Sequence, residues 1–177
     1  MTAPHLRPAT TADIESLCAL GARTFRATYA EMSDPAEVDD YARTHFTPAK
    51  VSAWLAAPGA CTVIASTGQG DAGYAHLRHA PVPACVADRT AMELSRLYLL
   101  PSAQGRGLGA ALLHRMLDEA AARSAHSIWL GAYDRNLKAL AFYEARGFRR
   151  VGTHDFEFGG RVYADPVLVR PVAPLPA

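Results

Sequence analysis

A glycine-rich segment near the middle of the chain has the residue types that bind phosphate groups. Gln104-Gly105-Arg106-Gly107-Leu108-Gly109 lies between an apolar run that ends at Pro101 and a stretch in which apolar residues recur at helical spacing. The first amides of a helix lack intrahelical partners and lie at the positive end of its dipole. Glycines leave those amides accessible, and Arg106 adds a fixed positive charge. The segment therefore predicts a pyrophosphate-binding loop.

An ordinary strand-to-helix connection and a dinucleotide-binding loop are the alternatives for the same residues. Gly105 to Ala110 also satisfies the pattern G-x-G-x-x-G/A, and Asp134 lies at a distance where a ribose-binding acid can occur. A dinucleotide turn usually follows its strand directly, whereas Pro101-Ser102-Ala103 intervenes here. Too few residues follow Gly109 for two complete mononucleotide-binding halves. The context therefore argues against a dinucleotide-dependent enzyme.

Two motifs resemble the GNAT superfamily of acetyl-CoA-dependent N-acetyltransferases. Gln104 to Gly109 is similar to the superfamily signature Q/R-x-x-G-x-G/A, and Leu97-Tyr98-Leu99-Leu100-Pro101 is similar to its usual lead-in. Downstream, Asn136 to Phe148 resembles the segment N-x-x-A-x-x-F-Y-x-x-x-G-F that follows the glycine loop in that superfamily. The two motifs occur in the expected order and cover about the C-terminal half of the chain.

The resemblance implies a fold and a set of acetyl-CoA contacts. The expected fold class is α/β (α+β), with a mixed, mostly antiparallel sheet of about six to seven strands, helices on both faces and two central strands that splay apart. The pantetheine arm of acetyl-CoA would lie between those strands, as an added strand does. The implied binding residues are Leu97, Tyr98, Leu99, Gln104, Gly105, Arg106, Gly107, Leu108, Gly109, Ala110, Asn136, Ala139 and Tyr143.

The resemblance also points to two catalytic residues. When an amine attacks the thioester, the departing thiolate gains from a proton donor, and Tyr143 is the matching phenol. A phenol has a pKa of ~10 and a thiol a pKa of ~8.5, so full proton transfer is uphill and a hydrogen bond suffices. Glu93, on the predicted central strand, is the candidate general base. Strict alternation would place Glu93 on one face with Ser95, Leu97 and Leu99. The structural alternatives are a packed aromatic ring for Tyr143 and an edge-exposed or salt-bridged side chain for Glu93.

The acceptor is predicted less directly than the donor. Acidic residues that could attract a polycation are concentrated near the N-terminus, at Glu31, Asp34, Glu37, Asp39 and Asp40. The chain also resembles the PaiA-type branch of bacterial polyamine N-acetyltransferases in Ala22 to Tyr29, Tyr133 to Asn136 and Val151 to Phe156. This resemblance implies direct acetyl transfer to a polyamine such as spermidine or spermine. Another small amine, an amino acid, an antibiotic or a protein amine remains an alternative, as does a non-catalytic acyl-CoA sensor.

Composition restricts the other partners. The net charge of +1 gives no reason to expect nucleic acid or an anionic membrane surface. Neither a membrane-spanning run nor a signal peptide is recognisable. The cysteines Cys18, Cys61 and Cys85 are widely spaced, which suits a reducing cytoplasm. The seven histidines show no ligand-like spacing, so no metal is expected. The predicted partner is a small-molecule amine, with a homodimer as a possibility.

The remaining sequence predicts one domain over residues 1–170 and a Pro-rich tail over 171–177. Helix starts are predicted at Thr10 or Thr11, Asp34 and Thr47, and Asp134 is predicted to cap a helix over 135–146 that ends at Gly147. A further helix, which follows the glycine-rich loop, is predicted from Leu108 to about Arg123. Predicted strands are 5–9, 61–66, 73–78, 94–100, 127–133, 148–152 and 161–169, the last bent or at an edge because of Pro166.

Overall fold

Seven strands and five α-helices are formed by residues 5–172, the part of the chain that this computed structural model describes. The strands are β1 (His5–Pro8), β2 (Cys61–Thr67), β3 (Gly70–Arg78), β4 (Met92–Leu99), β5 (Ser127–Gly131), β6 (Arg149–Phe158) and β7 (Arg161–Pro171). The helices are α1 (Ile14–Tyr29), α2 (Pro35–His45), α3 (Pro48–Ala56), α4 (Leu108–Ala122) and α5 (Leu137–Glu144). Short 3-10 helices precede α1 at Thr11–Asp13 and follow β4 at Pro101–Ala103.

The strands form a single mixed sheet in the order β1-β2-β3-β4-β5-β7-β6. All neighbouring pairs are antiparallel except β4 and β5, which are parallel. These two strands pair only at Met92 with Ile128 and at Glu93 with Trp129, and then diverge. The predicted mixed sheet with splayed central strands is thus confirmed. From Leu94 onward, the edge of β4 that faces β5 has no strand partner within the described sheet.

Helices cover both faces of this sheet, as predicted. On one face, α4 and α5 enclose a core to which α4 contributes the buried Leu113 and Met116. On the other face, α1, α2 and α3 enclose a second core around Phe25 and Tyr74. Complete burial of a large apolar side chain contributes about 1.5–3 kcal/mol, so the two cores hold the sheet firmly between the helices. The gap between β4 and β5 is therefore part of a packed framework.

The predicted ends of three helices agree with the structure. The Asp34 side chain accepts a hydrogen bond from the backbone N–H of Ala36 at 2.8 Å at the start of α2. The Thr47 hydroxyl accepts one from the N–H of Lys50 at 3.4 Å at the start of α3. Gly147 follows α5 with a φ of 84°, in the left-handed region where glycine is favoured.

The beginning of α5 differs from its prediction. The helix starts at Leu137, and its N-cap is Asn136, whose Oδ1 accepts from the N–H of Ala139 at 3.1 Å. The N–H of Asn136 donates to the carbonyl of Tyr133 at 2.9 Å, which closes a turn before the helix. This turn includes Asp134, so the predicted cap at that residue is wrong.

The end of the sheet also differs from its prediction. β7 lies between β5 and β6, so its predicted edge position is wrong. The carbonyl of Pro166 accepts from the N–H of Ala132 at 3.0 Å, just beyond the end of β5 at Gly131. The N–H that proline lacks would point to the same side, away from β6, and the assigned pairs of β5 with β7 end at Gly131 with Val167. Pro166 therefore lies in an interior strand at the point where β5 ends.

The last two strands are also longer than predicted. β6 continues to Phe158, and β7 includes Pro171, the first residue assigned to the tail. Residues 173–177 of that tail lie outside the described residues. Among residues 5–172, no helix combines the length and the apolar character needed to cross a membrane.

Candidate active site

A β-bulge in β4 decides which side chains enter the space on the α1 side of the sheet. Leu94 pairs with Leu77 and Arg96 with His76, so Ser95 is an extra residue opposite β3. One extra residue reverses the alternation of side chains, and bulges are common beside active sites. Glu93 therefore shares a cavity with Arg96 and Tyr98, while Leu97 and Leu99 pack into the opposite core. The predicted common face of Glu93, Leu97 and Leu99 is wrong.

An open cavity lies on this face of the sheet. Its empty space, counted out through the open mouth, is about 720 Å³. Its walls come from α1, α2, β4, the end of β5 and the β6–β7 hairpin. Aromatic rings dominate these walls, with Tyr133 centred 6.0 Å from Tyr29 and 5.6 Å from Tyr163. Two carboxylates, those of Glu93 and Asp165, line the same space.

Glu93 has an ion partner at the cavity wall. Its Oε2 accepts a hydrogen bond from Nε of Arg78, the residue opposite it on β3. The side chain of Glu93 is 13% exposed and that of Arg78 is 45% exposed. Glu93, the predicted base, therefore lines the cavity. It also forms the salt bridge that would explain this residue without a catalytic role.

Asp165 is a cavity residue that the sequence analysis missed. It is 5% exposed, and its Oδ1 has no hydrogen-bond partner among the described residues. Burial raises the pKa of this carboxyl to about 6, and the nearby charge of Asp134 contributes. The sequence contained one signal for a buried acid at this position. Asp165 is a lone acid beside the apolar run that begins at Val167, and a strand with such a run packs against the core.

Tyr143 lies on α5, on the opposite side of the sheet from the cavity. Its ring is 8% exposed and packs edge-on against Phe148, with centroids 5.4 Å apart. Burial raises the pKa of Tyr143, and the neighbouring Tyr98 adds to the effect. The Tyr143 phenol is therefore protonated at neutral pH, and Tyr98, which acts on it electrostatically, also lines the cavity.

The glycine loop has the backbone that its predicted function requires. Gly105 has a φ of 73° and Gly107, the residue before α4, has a φ of 82°. A Cβ at either position would meet no atom within 4 Å, so the backbone conformation, rather than space, favours glycine there. No side chain caps α4, and its first amides therefore remain accessible to an anion.

The other predicted donor-binding residues surround this loop. Leu108 and Gly109 are buried at the start of α4, where a Cβ on Gly109 would meet Phe142 at 3.3 Å. Arg106 is exposed and Ala110 half-buried. Leu97, Tyr98 and Leu99 lie on the stretch of β4 whose edge is free towards β5. Ala139 packs against the core beneath α5.

Gln104 and Lys138 connect the loop to α5. The Gln104 Nε2 donates to the carbonyl of Leu99 at 3.3 Å, and its Oε1 accepts from Nζ of Lys138. Asn136 uses its Oδ1 to cap α5, which leaves the amide nitrogen of the same side chain available. The sequence analysis did not include Lys138 among the donor-binding residues. Its place in the first turn of α5, the helix of the second motif, was a signal for an additional positive charge near the predicted pyrophosphate site.

The acidic N-terminal residues do not line the cavity. Asp39 pairs with Arg26, and Asp40 pairs with Arg43. Asp34 caps α2, and the carboxyl group of Glu37 lies against Gly159. Surface pairs of this kind contribute little energy, but they show that Asp39 and Asp40 already have ion partners. The unpartnered buried carboxylate on this side of the sheet is instead that of Asp165.

Comparisons with known proteins agree with this arrangement. A family model described as the acetyltransferase (GNAT) family matches residues 23–148. An uncharacterized N-acetyltransferase of Mycobacterium tuberculosis is 33% identical over 158 residues, which cover 89% of this chain and 97% of the relative. Among solved structures, a GCN5-related N-acetyltransferase from Rhodopseudomonas palustris has a TM-score of 0.77 at 23% identity, covering 97% of each chain. The PaiA N-acetyltransferase from Thermoplasma acidophilum, in complex with coenzyme A, has a TM-score of 0.77 at 18% identity, covering 96% of this chain and 99% of the other.

The described residues combine a parted sheet, the uncapped first amides of α4 on one side of the gap and an open cavity on the other. The chain belongs to the acetyltransferase (GNAT) family and is an N-acetyltransferase of this acetyl-CoA-dependent class. The predicted family and enzyme class are thus confirmed. Within residues 5–172, no three histidine, cysteine or acidic side chains are grouped so that they could hold a metal ion.

Proposed function

We propose that this enzyme transfers the acetyl group of acetyl-CoA to a primary amine of a polyamine such as spermidine or spermine, by direct attack. The observation that carries the proposal is the position of the cavity. It opens beside the gap between β4 and β5, and its wall combines aromatic rings with the carboxylates of Glu93 and Asp165. Aromatic faces and carboxylates both attract ammonium groups. The solved PaiA N-acetyltransferase of similar fold adds support from resemblance.

The donor would be held on the other side of the gap. The free edge of β4 at Leu97, Tyr98 and Leu99 offers main-chain hydrogen bonds to the pantetheine arm, as the edge of a sheet does for an added strand. The amides from Gly105 to Ala110 would receive the pyrophosphate, with charge from Arg106. Gln104, Asn136 and Ala139 would complete the contacts around the loop and α5.

The transfer itself requires two proton movements. Acetyl-CoA supplies an activated carbonyl and a thiolate leaving group. The acceptor arrives as an ammonium ion, and Glu93 would take its proton directly or through water, so that a neutral amine attacks. Tyr143 would donate a hydrogen bond or proton to the departing sulfur. The tetrahedral intermediate then loses the second amine proton, which offsets the proton that the sulfur gains. The products are an amide, CoA thiol and the one proton taken up by Glu93 and released to solvent.

Replacing Glu93 with glutamine is expected to lower kcat about tenfold near neutral pH, because the acceptor must then lose its proton to solvent. The loss should shrink above about pH 9, where more of the amine is already neutral. Steady-state rates across pH measure both effects. Arg78→Gln is the matched control, because it breaks the same ion pair but keeps the carboxylate. Equal effects of the two variants would mean that Glu93 serves only the ion pair.

The acceptor class is tested by thiol release from acetyl-CoA with an amine panel. The panel contains spermidine, spermine, short monoamines, amino acids, an aminoglycoside and a lysine peptide. Selective turnover of polyamines is the expected result. Turnover of only one of the other amines in the panel would mean that this amine, and not a polyamine, is the acceptor. Binding of CoA without turnover of any amine would contradict catalysis on these acceptors and favour an acyl-CoA sensor.

The remaining predictions concern the surroundings of the enzyme. Cys18, Cys61 and Cys85 are free thiols, and burial raises the pKa of Cys61 to about 11. Free thiols support the proposed cytoplasmic location, since reducing conditions preserve them. The possible homodimer stays a prediction that sedimentation can test.

A further inference from the structure

Asp165 is a buried charge that the fold does not use. Its side chain lines the acceptor cavity, yet its Oδ1 has no hydrogen-bond partner among the described residues. An unpaired carboxylate that is 5% exposed costs free energy unless something outside the fold compensates it. Pro166, the next residue, fits its strand without help from the Asp165 side chain. The local backbone therefore does not require an acid at position 165. The cost suggests a ligand that restores the missing contact.

The surroundings of Asp165 indicate a positively charged ligand. Tyr29 and Tyr98 lie close to it: burial chiefly raises the pKa of each, and the Asp165 charge contributes. With Tyr133 and Tyr163, these rings form an aromatic wall around one carboxylate. Aromatic faces attract cations, and the attraction is stronger where water is excluded.

The other charged groups of the cavity are already engaged. Arg78 pairs with Glu93, and the guanidinium of Arg96 is held 4.2 Å from the centre of the Trp54 ring and 5.3 Å from that of Phe46. His154 lies opposite Asp165 on β6, with its ring against Gly131. Asp134, the exposed neighbour, adds negative charge at the same place. Asp165 is thus the cavity carboxylate left open to a ligand.

A carboxylate among aromatic faces stabilises the protonated form of an amine. A reacting amine must instead lose its proton, so the group bound at Asp165 is not the nucleophile. We infer that Asp165 and the tyrosines around it form a subsite for a second, non-reacting ammonium group of the acceptor, so that the enzyme selects amines with two positive charges. This inference rests on the proposed acetyl transfer and adds a specificity-determining residue to it.

The test compares three four-carbon acceptors: 1,4-diaminobutane, butylamine and 4-aminobutyrate. They share one primary amine and differ at the other end, which carries a positive charge, no charge or a negative charge. The wild-type enzyme is expected to have the lowest KM for the diamine. In Asp165→Asn, the KM for the diamine should rise at least about tenfold, as expected for loss of a charge-assisted contact, while the KM for butylamine changes little.

Two further measurements separate this subsite from a structural or catalytic role. The affinity for acetyl-CoA should be unchanged in Asp165→Asn, because the donor would be held on the other side of the gap. The Tm of the free enzyme at pH 8 should stay the same or rise, because the variant removes a buried charge that has no partner. A lower Tm together with weaker binding of all three amines would show that Asp165 supports the fold, and would overturn the inference.

Asp155→Asn is the matched control, because it removes one negative charge from the neighbouring strand at an exposed side chain outside the cavity. It should leave the preference for the diamine intact, whereas an effect equal to that of Asp165→Asn would indicate only the general field of the protein. Calorimetric titration of the diamine into the wild type loaded with CoA gives a readout independent of turnover. Acetylation of butylamine without preference for the diamine would overturn the subsite but support the proposed acetyl transfer. Binding of the diamine without any turnover would support the subsite but contradict the proposed acetyl transfer.

Discussion

Tyr143→Phe is expected to lower kcat about 100-fold and to leave the affinity for acetyl-CoA within about twofold of the wild type. General acid catalysis typically raises the rate by about 10²–10⁴-fold. A phenol that donates only a hydrogen bond is expected at the low end of this range. The substitution removes one hydroxyl from a buried ring and keeps its packing against Phe148. Because burial keeps the pKa of Tyr143 high, the wild-type hydroxyl remains a donor across the working pH range.

The matched control for this variant is Tyr74→Phe. Tyr74 is also fully buried, its hydroxyl has no partner among the described residues, and it lies beside Tyr98 at a centroid distance of 6.1 Å. Its loss should leave kcat unchanged and stability equal or slightly higher, because an unsatisfied buried hydroxyl is removed. Single-turnover rates and calorimetric binding separate the two effects. Undiminished single-turnover rates in Tyr143→Phe would remove the phenol from the mechanism.

Local signals were sufficient for most of the architecture. The glycine loop, its preceding proline and the helical spacing from Leu108 lie within one short stretch, so the sequence predicts the strand, loop and helix together. The caps at Asp34 and Thr47 act on amides two or three residues away, and these two predictions are correct for the same reason. Features that are determined by neighbours in the chain can be read from the chain.

The site depends more on pairing between distant strands. The bulge at Ser95 exists only relative to β3, and nothing in the local sequence announces that alternation reverses there. The reversal brings Glu93 to the cavity with Tyr98, whereas strict alternation would place it with Leu97. Register is a property of two strands, so a pattern in one strand could not decide which side of the sheet the candidate base occupies.

Asp165 illustrates the same limit. In the sequence it is one acid before a proline, and the predicted edge strand would have allowed it to face solvent. The structure places β7 inside the sheet, and the residue becomes a buried carboxylate among tyrosines from α1, β4 and the loop after β5. Its functional meaning arises from burial, which long-range topology determines. Acidic composition instead pointed to α2, where the charges are exposed or paired.

Gly107→Val is expected to weaken acetyl-CoA binding about 30-fold or more. The residue has a φ of 82°, where a β-branched side chain is strongly disfavoured, and such strain costs about 1–3 kcal/mol. The backbone can relieve the strain only by rotating to negative φ, which would turn the first amides of α4 away from the pyrophosphate. Because α4 is anchored by Leu113 and Met116, the helix itself should persist. Calorimetric Kd values for CoA, with circular dichroism to monitor folding, measure this result.

Two comparisons show whether conformation is the cause. Gly68→Val places the same side chain in the β2–β3 turn, at a glycine that also has open space around its Cβ position but does not have a positive φ, and it should leave CoA binding unchanged. Gly107→Asn should weaken binding less than valine, because asparagine tolerates the left-handed region better. If valine and asparagine at position 107 weakened binding equally, side-chain bulk at the mouth of the loop would be the cause. If neither variant affected CoA, the anion would not be bound by these amides, since a helix start that binds pyrophosphate depends on the direction of its first N–H groups.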